Sequence, residues 1–366
     1  MEQERVAIFR KFGATSEQAE DLLSYSNSSF DPVNREAEVT LPLADEAHLS
    51  TWRRYKEESD DLGVIPTLSK YLVQLKFPIQ AGISTTEVYR AATRKGDWTG
   101  ATGSPEWKDP DSIELQIHPT AAGHIPVILV PQREDFETLI RAIVRRNEPS
   151  EIPASMGAAA IKGFNNWSRV FELTDNWKAE NPEREHANWN TAFRSINPPK
   201  SHYQDTFIIL SRGPYSNTSA DALECGETEW LSKSLAIRLE HECAHYFCRR
   251  VYGSMHNNLR DELIADYAGI VAAEGAFKAD WFLKFMGLDR NGNYDGEGRM
   301  QVYRGELDDS CWRIMGKLVV AAAENLEMID QALPVRSAPR AKDLLSLSDK
   351  WLEQVANDAA CLNFTP

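Results

Sequence analysis

The chain has 366 residues, a hydrophobic fraction of 42%, a charged fraction of 26% and a formal net charge of −15. This is the composition of a globular chain long enough for a sizeable core. The negative balance argues against the basic face that sequence-independent binding to nucleic acid or anionic lipid requires. No run of about 18 apolar residues offers a membrane span.

The opening MEQERVAIFRKFG carries no apolar signal-peptide core. The five cysteines, Cys225, Cys243, Cys248, Cys311 and Cys361, form no CxxC pair and no even-numbered disulfide framework. The expectation is a cytoplasmic protein with reduced thiols, no nucleic-acid partner and no membrane partner. Its oligomeric state is left open.

The first hundred residues read as mostly helical. Thr15 and Gln18 make a capping-box pattern ahead of EQAEDLLSY, and STTE (84–87) makes another ahead of VYRAATRKG. TLSKYLVQLKF between them reads as a helix stopped by Pro78. After a turn-rich stretch, 97–111, come SIELQIHP (112–119) and IPVILVP (125–131), two strands joined by the turn TAAGH. REDFETLIRAIVRRN has helical periodicity. Residues 148–200, rich in Pro, Asn, Trp and Gly, read as short helices and loops. DTFIILS (205–211) is a strand.

Residues 228–253 then predict one long helix ending on Gly253. A second helix, LRDELIADYAGIVAAEGAF, is capped by Asn258, and further helices cover 309–330 and 342–358. The fold class expected is α+β, predominantly helical with a small mixed or antiparallel sheet. The expected division is a helical N-terminal region, 1–110, and a domain over 111–366.

The long helix contains HECAH, residues 241–245. At about 100° per residue, His241 and His245 lie about 40° apart on one face, within reach of one ion. Glu242, one step round, reaches a water on that ion without binding the metal itself. Neutral imidazoles suit Zn²⁺, whose catalytic sites use three protein ligands and leave a fourth position open. The next helix offers a third donor: in DELIAD, Glu262 and Asp266 are four apart and share a face. Glu262 is placed to coordinate, and Asp266 to accept a hydrogen bond from a ligand histidine. Asp261 points about 100° away from Glu262.

HECAH followed by DELIAD resembles the HExxH zinc metallopeptidases of gluzincin, or thermolysin-like, type. The resemblance covers roughly residues 230–275. It implies zinc held by His241, His245 and Glu262, with Glu242 as the catalytic base and Asp266 behind the ligands. It also implies an active-site helix pair next to an edge strand, and DTFIILS is the strand expected to hold an extended peptide. The activity implied is hydrolysis of peptide or amide bonds in a peptide or protein substrate. For the second electrophile at the carbonyl oxygen the candidates are Tyr303 in GRMQVYRG, Tyr267 and His256, with Tyr303 preferred. Two alternatives stand beside this reading. One is a zinc amidohydrolase of a small metabolite, and the other is a binding or regulatory protein that keeps the site without turnover.

Other features have plainer readings. Cys243 faces the core, Cys248 is expected as a packed thiol and Arg238 in an ordinary salt bridge. DRNGNYDGEG (289–298) resembles a calcium loop. Tyr294, however, replaces its glycine and Met300 its bidentate glutamate, so a polar surface turn is expected. His118 and His124 flank the TAAG turn as a solvated hairpin end.

Overall fold

A computed structural model describes residues 2–27, 39–253 and 258–364. The chain divides into two compact units, Met1–Leu43 with Gly213–Pro366, and Ala44–Arg212. The expected boundary at 110/111 lies inside the second of these. The fold is α+β and predominantly helical, with one small mixed sheet among the described residues. No helix among those residues is long and apolar enough to cross a membrane.

The first unit opens with α1 (Glu2–Lys11) and α2 (Ser16–Asn27). The Thr15 hydroxyl accepts from the Gln18 backbone N–H at 3.3 Å, and the Gln18 side chain accepts from the Thr15 N–H at 2.9 Å, which is the reciprocal capping box expected.

The other unit holds α3 (Leu49–Leu62), α4 (Val64–Tyr71), α5 (Glu87–Lys95), α6 (Arg133–Ile143), α7 (Trp167–Glu180) and α8 (Trp189–Ile196). Its strands are β1 (Glu114–Thr120), β2 (Gly123–Val130), β3 (Ala158–Asn165) and β4 (Gln204–Ser211), in spatial order β1-β2-β4-β3. β1 and β2 form the expected hairpin, with Thr120 opposite Gly123. β4 runs parallel to β2 and antiparallel to β3. Flanked on both sides, β4 is an interior strand. The expectation that DTFIILS lies at a free edge is corrected here, because a strand with both ladders filled has no backbone groups left for a peptide. Trp52, Leu68, Ile128, Phe136, Phe207 and Ile209 belong to the core against this sheet.

Three local expectations also shift. The cap of α5 is Thr86 rather than Ser84, its side chain accepting from the Tyr89 N–H. TLSKYLVQLKF breaks at Leu72, which is extended, into α4 and a 3₁₀ turn over Val73–Lys76. The amide of buried Asn147 bonds the carbonyls in and just after that turn, donating to Gln74 O at 2.9 Å and Phe77 O at 3.0 Å. Within 148–200, AAAIKGFN becomes strand β3 because β4 offers it a ladder; its alanines and glycine are poor strand formers by themselves.

The first unit resumes with α9 (Glu227–Tyr252) and α10 (Leu259–Glu274), followed by α11 (Ala279–Met286), α12 (Asp309–Asp330), α13 (Ala341–Ser348) and α14 (Leu352–Asn357). Asn258 caps α10 as expected, accepting from the Arg260 N–H. The helix expected over 342–358 breaks before Trp351. Two guanidinium groups lie over the ring of Trp351, Arg5 at 3.8 Å and Arg260 at 4.9 Å from its centroid.

α9 and α10 pack side by side along their length. The approach is close at Gly269, where a β-carbon would lie 2.6 Å from the Ile237 carbonyl oxygen. No residue larger than glycine fits there unless the helices move apart. α10 is almost wholly buried, acids included.

Candidate metal centre

Ser234, Arg238, His241 and His245 recur at helical spacing along one face of α9, and all four are buried. The two imidazoles meet edge to face, with ring centroids 4.5 Å apart and an interplanar angle of 89°. Their Nε2 atoms are 3.0 Å apart. Glu262, on the first turn of α10, closes the triangle: its Oε2 is 3.7 Å from His241 Nε2 and its Oε1 is 3.5 Å from His245 Nε2. These three side chains form a group that can offer one ligand atom each within 4.8 Å of one another.

Their spacing tests whether zinc fits. Ligand bonds of about 2.0–2.2 Å at the tetrahedral angle place donors about 3.3–3.6 Å apart. The observed separations of 3.0, 3.5 and 3.7 Å bracket that range. Two nitrogens and a carboxylate oxygen are also the donor types that zinc takes in hydrolytic sites.

Electrostatics favours the charged forms. Burial works to raise the pKa of the Glu262 carboxyl. The hydrogen bond to His245 and the charges of His241, His245 and Arg299 reverse that and hold it below the usual carboxylate range. His245 shows the mirror effect: burial works to lower its pKa, and the bond to Glu262 with the surrounding acids leaves it raised. Glu242 is half-buried on the same helix, and its charge is felt at His245.

Behind the triad, His241 Nδ1 lies 2.8 Å from Asp266 Oδ1, the contact expected of that acid. Two residues that the motif does not contain join it. The Tyr215 hydroxyl sits 2.8 Å from His241 Nδ1 and donates to Asp266 Oδ1 at 2.5 Å. Arg299 Nη1 donates to the Tyr215 oxygen at 3.0 Å and approaches Glu262 Oε2 at 3.4 Å, while its Nη2 pairs with Asp266 Oδ2.

A family model matches residues 7–359, a span that includes every member of this cluster. The chain belongs to that family, DUF7005, a family of unknown function. No curated protein and no solved structure matches the chain.

In this DUF7005 chain, the segment that delivers Tyr215 is held by α9 itself. The Tyr215 N–H donates to Ser234 Oγ at 3.0 Å, and the Arg238 guanidinium donates to the carbonyls of Gly213 and Pro214. Arg238 thus clamps a loop through its carbonyl oxygens, a role beyond the simple salt bridge expected. Arg299 and Tyr303 arrive from the loop after α11. In that loop both oxygens of Asp289 accept hydrogen bonds from Asn291 and Asn293, forming a closed polar turn.

Tyr303 is buried, with its hydroxyl close enough to Glu262 to feel that charge. Burial and the Glu262 charge both push its pKa upward, which keeps the phenol protonated and able to donate. Tyr303 and Tyr25 also line a cavity of about 550 Å³, together with Asp21, Glu306 and Asp308.

The remaining candidates fall elsewhere. Tyr267 turns into the core, donating to Asp330 at 2.9 Å and accepting from Arg336. His256 lies outside the described residues. Cys243 is buried, and buried Cys248 packs with Sγ 3.6 Å from the Ser348 hydroxyl. His124 pairs with Asp45 at 2.9 Å.

Tyr215 and Arg299 are the residues that sequence reasoning missed. Tyr215 stands 26 positions before His241, between the strand DTFIILS and the long helix, and Arg299 stands next to a loop read as polar surface. The GPY turn directly after an apolar strand and the single arginine in GEGRMQVY were the available signals.

Proposed function

We propose that this chain is a zinc-dependent hydrolase of peptide or amide bonds, a metallopeptidase of gluzincin type. The observation that carries the reading is the convergence of His241 Nε2, His245 Nε2 and a Glu262 carboxylate oxygen in one buried cluster. The spacing of these donors supports zinc, and the bonds of His241 Nδ1 to Asp266 and Tyr215 leave its Nε2 free to coordinate.

Zinc bound there supplies an electrophile for the carbonyl and a water acidic enough to lose its proton near neutral pH. Glu242 would act as the general base for that water and as the general acid for the departing amine. Tyr303, buried beside Glu262, would be the hydroxyl donor to a substrate carbonyl oxygen as it gains negative charge. The cavity beside Tyr303 falls within the size range of small-molecule sites, and its lining includes none of His241, Glu242, His245 or Glu262.

Zinc content and cleavage of a peptide library, measured on the wild type and on Glu242→Gln, test the proposal together. About one zinc per chain in both, with cleavage by the wild type alone, is the expected result. Zinc without cleavage in either removes the enzyme reading and leaves a binding protein. A wild type that takes up no zinc removes the metal reading altogether.

A further inference from the structure

We infer that Tyr215 is a positioning residue for the metal centre: its hydroxyl fixes which nitrogen of His241 faces the ligand triad and pins the carboxylate of Asp266. This rests on the metal reading above, and it goes beyond the motif because Tyr215 lies in no part of it.

The argument is one of donors and acceptors. Three groups surround the phenolic oxygen: Asp266 Oδ1 at 2.5 Å, His241 Nδ1 at 2.8 Å and Arg299 Nη1 at 3.0 Å. An ionised carboxylate only accepts and a guanidinium only donates, so the hydroxyl proton goes to Asp266 and Arg299 fills one lone pair. The remaining lone pair faces His241 Nδ1, which therefore carries a proton. That proton is shared with Asp266 Oδ1, itself 2.8 Å away.

The opposite tautomer would set a bare Nδ1 against two acceptors. It would have to draw the Tyr215 proton away from Asp266 to make even one bond. With Nδ1 protonated, His241 Nε2 keeps its lone pair, and Nε2 is the atom turned toward His245 and Glu262.

Tyr215 does more than duplicate Asp266. Asp266 Oδ1 is held by the Tyr215 hydroxyl and Oδ2 by Arg299, so neither oxygen can rotate away from the imidazole. The ring of Tyr215 is fixed in turn. It packs edge-on against Phe285 with centroids 5.0 Å apart, and its backbone N–H is bound by Ser234 on the same face of α9 as the histidines. The hydroxyl is thus presented by a buried and anchored side chain, as a group that orients a metal ligand must be.

The test uses Tyr215→Phe in the full-length protein, which keeps the ring packing and removes only the oxygen. Zinc affinity is measured by competition with a chromophoric chelator, and the unfolding midpoint of the metal-free protein is measured alongside. A 10- to 100-fold weaker zinc affinity in a variant that still unfolds cooperatively supports the role, that range being typical for loss of a group behind a ligand. Affinity equal to wild type overturns it.

A second measurement does not depend on zinc or on the folding of Tyr215→Phe. In ¹⁵N-histidine NMR of the metal-free wild type, with the His241 signal assigned by its loss in His241→Gln, Nδ1 is expected to be the protonated nitrogen. Protonation at Nε2 alone overturns the inference. A wild type that binds no zinc but shows the Nδ1–H form refutes the metal reading while upholding this hydrogen-bond assignment.

Discussion

The contact between α9 and α10 at Gly269 gives a prediction in which geometry at one end of a helix is read out as chemistry at the other. In Gly269→Ala the added methyl group would lie 2.6 Å from the Ile237 carbonyl oxygen and 2.8 Å from its Cγ2, where contacts are ordinary only from 3.4 Å. The oxygen is backbone within a regular helix and cannot swing aside. α10 must therefore retreat by about 0.8 Å, the distance needed to restore van der Waals contact.

Glu262 stands seven residues earlier, two turns away on the same face of α10, and moves with that helix. Metal–ligand distances are sound only within about 0.2 Å, so a shift several times larger breaks the match among the three donors. The expected result is a zinc affinity reduced by about tenfold or more. The stability effect is smaller. Overpacking costs about 1–3 kcal/mol, against which alanine gains about 1 kcal/mol over glycine inside a helix. The unfolding midpoint should thus fall by no more than a few degrees. Chelator competition and thermal unfolding on the same samples separate the two. A Gly269→Ala protein that binds zinc as tightly as wild type would refute the claim that this contact sets the reach of Glu262.

Two further outcomes are expected. Asp266→Asn leaves Arg299 Nη2 without its carboxylate and places an amide against His241 Nδ1, so zinc affinity should drop 10- to 100-fold in a chelator titration. Stability of the metal-free protein should depend on pH through His245 and Glu262. The raised pKa of His245 contributes stability in full below its ordinary value of 6.5, and that contribution is lost as pH rises through the folded-state value. The depressed pKa of Glu262 contributes above its ordinary 4.5, and that part is lost as pH falls. This pair therefore stabilises most between pH 4.5 and 6.5. Zinc displaces the proton from His245, so saturating zinc should remove the decline on the alkaline side. Unfolding midpoints across pH, with zinc and with chelator, check this, and identical profiles under both conditions would contradict it.

What was legible in the sequence divides along a physical line. The clustering of His241, His245 and Glu262 was readable because it is written at helical spacing: His241 and His245 four apart on α9, Glu262 and Asp266 four apart on α10, where the local period dictates the shared face. The reciprocal cap at Thr15 and Gln18 and the cap at Asn258 were readable for the same reason, since each is a local contest for backbone N–H groups.

The places where reading failed are those where a distant partner decides. An alanine-rich segment becomes β3 because β4 offers it hydrogen bonds. A helix breaks before Trp351, whose ring two arginines cover, and DTFIILS is interior because residues 158–165 take its free side. The same distinction runs through the site. His241 lies on a segment whose structure is local, whereas Tyr215 and Arg299 reach it from loops 26 residues before and 58 residues after. They meet on Asp266 because the guanidinium needs carboxylates and the buried phenol needs an acceptor. Nothing in the spacing of either loop encodes that meeting; it follows from charge balance around Glu262 and Asp266. The buried carboxylates of Glu262 and Asp266 carry two negative charges out of water, and Arg299 offsets one of them. The arginine therefore gives the cluster a way to persist in the metal-free chain, with the donors already near their ligand spacing.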